Sequence, residues 1–210
     1  TPTFEPVLLK TQQGLSIETG VEWTQAGNTA KLVIYRLDLE NEIAYDPVNF
    51  ANINLDETQR DGLITSGYWQ TTNRLGLSAS YTYTDASVTS GVFTGKDVPF
   101  VAKHSALLSA DYELTEAWQL YAELYAISDR VFSGDFYNVL GKLPGYGTMN
   151  IKAEYTRKEF SLSARVNNLF NKQYSDVGQL GTDPNTFAPR EAFFPSPEIN
   201  FLVTAAWNFR

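Results

Sequence analysis

The sequence of 210 residues holds one histidine, His104, in the phrase VPFVAKHS. Side-chain hydrolysis needs such a base beside a nucleophile, in a dyad or triad. No nucleophile arrangement accompanies His104, so a structural role is expected and no catalytic residue is assigned. Asp38, Glu40, Glu42 and Asp46 form an acidic group. A calcium ion takes about six to eight oxygens, and these carboxylates have no loop geometry to supply them. They predict a solvated rim, and no metal site is assigned. Asp183-Pro184-Asn185 reads as a turn. What remains is recognition. Arg130, Phe132, Phe136 and Tyr137 fall in one polar connection, and Phe187, Arg190, Phe193 and Phe194 in another. Arginines among flat rings suit an anionic or aromatic chelate, through stacking and cation contacts. The other reading of these aromatics is that they brace their own loops. No cofactor is expected.

The elements that must carry these connections alternate with period two. About nine strands are predicted: Gly14–Trp23, Ala30–Glu40, Thr58–Trp69, Arg74–Thr84, Ala102–Leu114, Trp118–Ile127, Gly147–Tyr155, Phe160–Asn167 and Glu198–Phe209. In the eighth, Leu162, Ala164 and Val166 point one way and Ser163, Arg165 and Asn167 the other. In the second, Val33, Tyr35, Leu37 and Leu39 oppose Arg36, Asp38 and Glu40. Most of these strands reach the ~9–11 residues that cross a bilayer at a tilt, where a soluble sandwich has a mode of ~5–6. The apolar faces end in Trp23, Tyr83, Trp118, Tyr155 and Trp207, the pattern of a lipid band with aromatic girdles. Lumen charges such as Arg74, Lys152, Glu154 and Arg165 are expected to pair across neighbouring strands.

The connections alternate in length. Thr24–Thr29, Gln70–Asn73, Thr115–Ala117 and Thr156–Glu159 are short. Asn41–Glu57, Asp85–Val101, Ser128–Tyr146 and Asn168–Pro197 are long. Membrane barrels have short periplasmic turns and long outer loops. The fold class predicted is therefore all-β, an antiparallel transmembrane β-barrel with about nine to ten strands present. Counting strands back from the last places Arg210 on the periplasmic side and Thr1–Gln13 on the outer side. Single-chain bacterial barrels have an even strand number, so the chain is expected to be part of a larger barrel.

Bulk composition narrows the classes further. Hydrophobic residues make up 43% and charged residues 19%, which argues against disorder. A net charge of −8 argues against a nucleic-acid partner. With no cysteine, disulfide scaffolds and cysteine-ligated clusters are excluded. No window approaches the ~20 apolar residues of a spanning helix. The start, Thr1-Pro2-Thr3-Phe4, has no basic or apolar leader.

Five phrases then stand in a familiar order: LGLSASYTYTDA (Leu75–Ala86), GKDVPFVAKHS (Gly95–Ser105), LPGYGTMNIKAEY (Leu143–Tyr155), VNNLFNKQY (Val166–Tyr174) and FPSPEINFLVTAAWNF (Phe194–Phe209). RLDLENEIAY (Arg36–Tyr45) also fits. On these the chain resembles the C-terminal half of a TonB-dependent outer-membrane receptor. The resemblance covers nearly the whole chain. It implies a 22-stranded barrel enclosing an N-terminal plug, of which residues 1–210 are the C-terminal portion, lacking plug and TonB motif. It also implies uptake of a scarce substrate, most often a ferric siderophore, with cobalamin, haem or another small molecule as alternatives. The expected partners are outer-membrane lipid and lipopolysaccharide, the remaining strands and plug, and the TonB complex through them. The family usually ends in Phe, whereas Phe209 is followed by Arg210. A passive or structural barrel derived from a receptor is the reading from another class. An outer-membrane hydrolase is disfavoured by the single histidine.

Overall fold

The computed structural model describes residues 8–209, so the expectation for Arg210 and most of that for Thr1–Gln13 lie outside the described residues. The strands in chain order are β1 (Gln13–Gln25), β2 (Asn28–Glu40), β3 (Ile43–Asp46), β4 (Ala51–Asn54) and β5 (Glu57–Thr72). Next come β6 (Leu75–Val88), β7 (His104–Thr115), β8 (Trp118–Ile127), β9 (Arg130–Val131) and β10 (Lys142–Leu143). The last are β11 (Tyr146–Arg157), β12 (Phe160–Asn167), β13 (Ser175–Thr182), β14 (Pro189–Pro195) and β15 (Asn200–Trp207). Nine of them form one antiparallel sheet in the order β1-β2-β5-β6-β7-β8-β11-β12-β15. Each long strand pairs with the next long strand in the chain, and β1 and β15 are the two free edges.

Tight turns fix the registers at one end. Ala26 and Gly27, at φ 49° and 81°, form the two-residue link between β1 and β2. Two positive φ values are the signature of the type I′ hairpin turn, whose twist matches that of the strands. At the β7–β8 turn, the Thr115 hydroxyl accepts the amides of Ala117 and Trp118 at 3.2 and 3.1 Å.

Three of the long connections, expected to be loops, hold hairpins of their own. β3 pairs with β4, β9 with β10, and β13 with β14. These strands have two to eight residues, too short for a period-two signal to stand out between turn residues.

Directly opposed residues share a face, so the registers assign the two sides. One side carries Ala122, Ile151, Val166 and Phe201 in a row, with Leu120, Ala153, Ala164 and Val203 in the next. The opposite side carries Glu123 beside Asn150, and Lys152 beside Arg165. The strand β2 departs from the sequence reading. Its Tyr35 and Leu37 stand opposite Glu18 and Ser16, on the polar side, and Arg36 stands opposite Ile17 on the apolar side. Leu32 and Ile34 make β2 apolar at both parities, so its own pattern leaves the facing open and the Ala26-Gly27 turn decides it. Tyr35 then lies flat over Gly62, where a Cβ would collide with the ring, and its hydroxyl bonds Thr84 Oγ1 at 2.8 Å. Arg36 makes a bidentate pair with Asp61, at 2.7 and 2.9 Å, at the long-loop end of the apolar face.

Candidate functional site in the long loops

The buried apolar side chains among the described residues cluster at the long-loop end: Leu55, Ala86, Val88, Val98, Val131, Phe132, Phe136, Leu143 and Leu180. The loops therefore pack on one another and not only on the sheet. Phe132 is fully buried and meets the edge of Phe193 at 5.3 Å. It also lies against Gly178, where a Cβ would stand 2.7 Å from its ring. The Ser133 amide donates to Gly178 O at 2.9 Å, and the Leu180 amide to Ser133 O at 2.8 Å. The connection 128–146 is thereby stitched to the β13–β14 hairpin.

The same connection grips its other neighbours. Asn138, in the left-handed region at φ 51°, accepts the Asp97 amide at 2.8 Å and donates to Asp97 O at 3.1 Å. Asp135, only 1% exposed, accepts the Val139 and Leu140 amides at 3.0 and 2.9 Å. Gly134 has φ 80° and leaves no room for a Cβ against Pro47. Lys103 pairs with Asp85 at 2.9 Å, and that carboxylate raises the lysine pKa above its ordinary value.

Arg130 is 3% exposed, a position unlike that of a free ligand contact. Its guanidinium lies over Phe100 at 5.0 Å, and its Nη2 donates to the Asp176 carbonyl and, at 3.2 Å, to Asp176 Oδ1. Asp176 Oδ1 also accepts the Tyr146 hydroxyl at 2.7 Å. Tyr146 in turn packs at a tilt against Tyr125 and Tyr174, with ring centroids 6.0 and 4.1 Å away. Arg130 thus joins three connections.

The seven ligand candidates, Arg130, Phe132, Phe136, Tyr137, Arg190, Phe193 and Phe194, divide by environment. Arg130, Phe132 and Phe136 are buried in loop packing, with Phe136 against Phe93 at 5.4 Å. Tyr137 is 58% exposed although its ring meets Phe93 edge-on. Arg190, Phe193 and Phe194 are exposed on β14, and Phe187 is exposed in the turn before it. Arg190 and Phe194 share one face of the β13–β14 hairpin, while Phe193 is on the other, against Phe132. A cleft of about 530 Å³ at the base of this hairpin is lined by Leu143, Gly145, Lys172, Tyr174, Phe193 and Glu198. That volume falls within the range of small-ligand sites. Sequence reasoning missed Phe100, Asp135, Asn138, Asp176 and Gly178 as loop organisers. The left-handed preference of Asn was the available signal for Asn138, and the missing Cβ for Gly178.

His104 faces the apolar side beside Tyr83, and its Nδ1 bonds the Tyr81 hydroxyl at 2.7 Å. It belongs to an aromatic band at the long-loop end of the strands. On the polar side Lys152 pairs with Glu154 two residues along the same strand, not across to a neighbour. Arg165 does reach across β11, to Glu123 at 3.4 Å.

Comparison with known proteins supplies the frame for this geometry. Residues 3–169 match the family described as TonB dependent receptor-like, beta-barrel. A probable TonB-dependent siderophore receptor, PiuA of Acinetobacter baumannii, is 27% identical over 185 residues, covering 80% of this chain and 24% of its own length. The chain thus spans about a quarter of that relative. Among solved structures, the ferric enterobactin receptor PfeA of Pseudomonas aeruginosa, a Q482A mutant in complex with enterobactin, superposes with TM-score 0.76 at 22% identity. The match covers 96% of this chain and 32% of that one. The copper transporter OprC superposes with TM-score 0.77 at 18% identity, over 96% of this chain and 32% of its own. Barrels of different cargo share these nine strands, so the fold does not select a ligand. The matched segment, the antiparallel sheet with one apolar and one polar side, and the long loops at one end together establish that the chain belongs to the TonB-dependent receptor β-barrel family, a family of outer-membrane transport receptors and not of enzymes.

Proposed function

We propose that these residues are the C-terminal portion of an outer-membrane receptor that takes up a ferric siderophore by TonB-coupled transport. On this reading the apolar face meets lipid and lipopolysaccharide, and the polar face lines the lumen. The long connections are the outer loops. The plug and the TonB contact belong to parts of the receptor beyond these 210 residues. The free edges of β1 and β15 pair with the remaining strands of the barrel.

The observation that carries the reading is the division of the outer loops. One connection spends Arg130, Phe132 and Phe136 on packing, and the next holds Arg190 and Phe194 out to solvent on a hairpin braced through Phe193. A rigid base with exposed rings and a cation is what recognition of a flat, anionic chelate requires. The named activity of PiuA supports the choice of cargo class. Growth under iron limitation tests it. Strains with and without the gene are supplied with single ferric chelates, cobalamin or haem. Gene-dependent growth on a ferric siderophore is the expected result. Gene-dependent use of cobalamin or haem alone, or growth independent of the energy-coupling complex, overturns it.

A further inference from the structure

The phrase VNNLFNKQY does not supply ligand contacts, and its geometry gives it a different task. Asn168 is 4% exposed and adopts φ 51°. Its Oδ1 accepts the Lys172 amide at 2.8 Å, and its Nδ2 donates to Lys172 O at 2.9 Å and Pro197 O at 3.3 Å. Asn171 Oδ1 accepts the Ile199 amide at 2.9 Å. The two asparagines therefore tie together both ends of the last outer loop, where it leaves β12 and where it rejoins β15.

This knot is anchored on the lumen wall. The Asn168 amide donates to Asn150 Oδ1 at 2.9 Å. Asn150 Nδ2 donates to Glu123 Oε1 at 2.9 Å. The same carboxylate receives Arg165 at 3.4 Å and, on its other oxygen, the Tyr121 hydroxyl at 2.7 Å. Asn150 uses its acceptor on the loop and its donor on the wall, so it cannot turn without breaking both bonds. A second tie runs from Tyr146, on the same face of β11, to Asp176 in the same loop. Glu123 and Arg165 are half-buried, and both belong to the polar face.

We infer that β11 is a coupling strand, with Asn150 the positioning residue that links the lumen-facing pair Glu123–Arg165 to the last outer loop. A change in the hydrogen bonding of that pair resets the hold on the Asn168 knot, and by reciprocity a ligand that orders the loop changes the hold on the pair. The part of the inference that concerns ligand rests on the receptor reading above. The coupling itself does not.

The test is hydrogen exchange on the full-length receptor in detergent, without substrate. Glu123→Ala touches no residue of the last loop. It is expected to raise exchange of the Asn168 and Lys172 amides about tenfold, a coupling of about 1.4 kcal/mol. Glu123→Gln keeps an acceptor for Asn150 Nδ2 and is expected to restore protection. Lys152→Met, on the same face of β11 but outside the chain of bonds, is expected to change nothing in residues 168–197. If Glu123→Ala leaves those amides at wild-type protection, the coupling is overturned, even where Asn150→Leu exposes Asn168 locally. Gain of exchange in Lys152→Met equal to that in Glu123→Ala also overturns it, because the effect is then general loosening. Since no substrate enters the measurement, failure here is separable from failure of the transport reading, which the growth assay decides.

Discussion

Gly178 lies so close to the ring of Phe132 that a Cβ added there would stand 2.7 Å from two different groups, Phe132 and Leu143. One absent methyl group lets the β13–β14 hairpin seat on the neighbouring loop. Because both Phe132 and Leu143 are buried, neither can swing away into solvent. Overpacking of this kind costs about 1–3 kcal/mol, and truncating a buried Phe to Ala about 3–5 kcal/mol. Gly178→Val and Phe132→Ala are therefore expected to open the outer loops to limited proteolysis while the sheet stays folded. Cleavage within 128–146 and 175–195, with the unboiled gel mobility of the barrel unchanged, is the expected readout.

Asn168→Ala is expected to act on the loop ends and not on the hairpin. It removes three side-chain hydrogen bonds at a buried site and leaves a Cβ residue at φ 51°. Buried groups left unpaired cost about 1–3 kcal/mol each. Asn168→Gly separates the two causes, since it loses the same side chain but accepts the backbone angle. Faster exchange at Lys172 in both variants, greater in the alanine form, is expected.

The nine long strands were legible because each has eight or more residues and one face of continuous chemistry. The sheet order followed from the alternation of short and long connections. β2 was not legible in its facing, because Leu32 and Ile34 are apolar where Val33, Tyr35 and Leu37 are apolar too. Its side is set by pairing with β1, information that lies in another strand and in the Ala26-Gly27 turn. Arg36 was expected to face water in the lumen. It stands on the apolar side, and Asp61 makes that tolerable.

The candidate site was half legible for a related reason. Arg and Phe in a polar connection look the same whether they face a ligand or a neighbouring loop. Phe132 and Phe193 touch each other, yet one is fully buried and the other about half exposed. Only the stitching of Ser133 to Gly178 and Leu180 distinguishes their roles. Residues that organise the loops, such as Asp135 and Asn138, act through backbone bonds that no side-chain pattern advertises.

Asp183 gives the last hairpin a pH dependence. Its carboxylate accepts the Asn185 and Thr186 amides at 2.8 and 3.0 Å, which holds its pKa below the ordinary aspartate value. A depressed folded-state pKa means stability that is present above the unfolded value. That stability is lost as pH falls through the folded one. The turn is therefore expected to loosen only below the usual aspartate range, and to be unchanged between neutral pH and mildly acidic pH. Protection of Asn185 and Thr186, taken relative to intrinsic exchange, should fall in the wild type at that point. Asp183→Asn should show the lower protection at neutral pH and converge with the wild type once Asp183 is protonated.

Ligand affinity should separate Arg190 and Phe194 from Arg130 by the kind of loss and not only its size. Arg190 and Phe194 lie on one exposed face of the hairpin, opposite the face that meets Phe132. On the proposed reading, removing either is expected to weaken binding of a ferric chelate about tenfold, the range of one stacking or cation contact, with loop protection unchanged. Arg130 is buried and bonded to Asp176. Arg130→Met is expected to raise exchange through 172–182 first, and to weaken binding only as a consequence. Titration of the full-length receptor with its chelate, run beside exchange on the same samples, checks both. Equal loop loosening in Arg190→Ala would place that residue among the braces, and unchanged affinity in Arg190→Ala and Phe194→Ala would remove the hairpin face from the site.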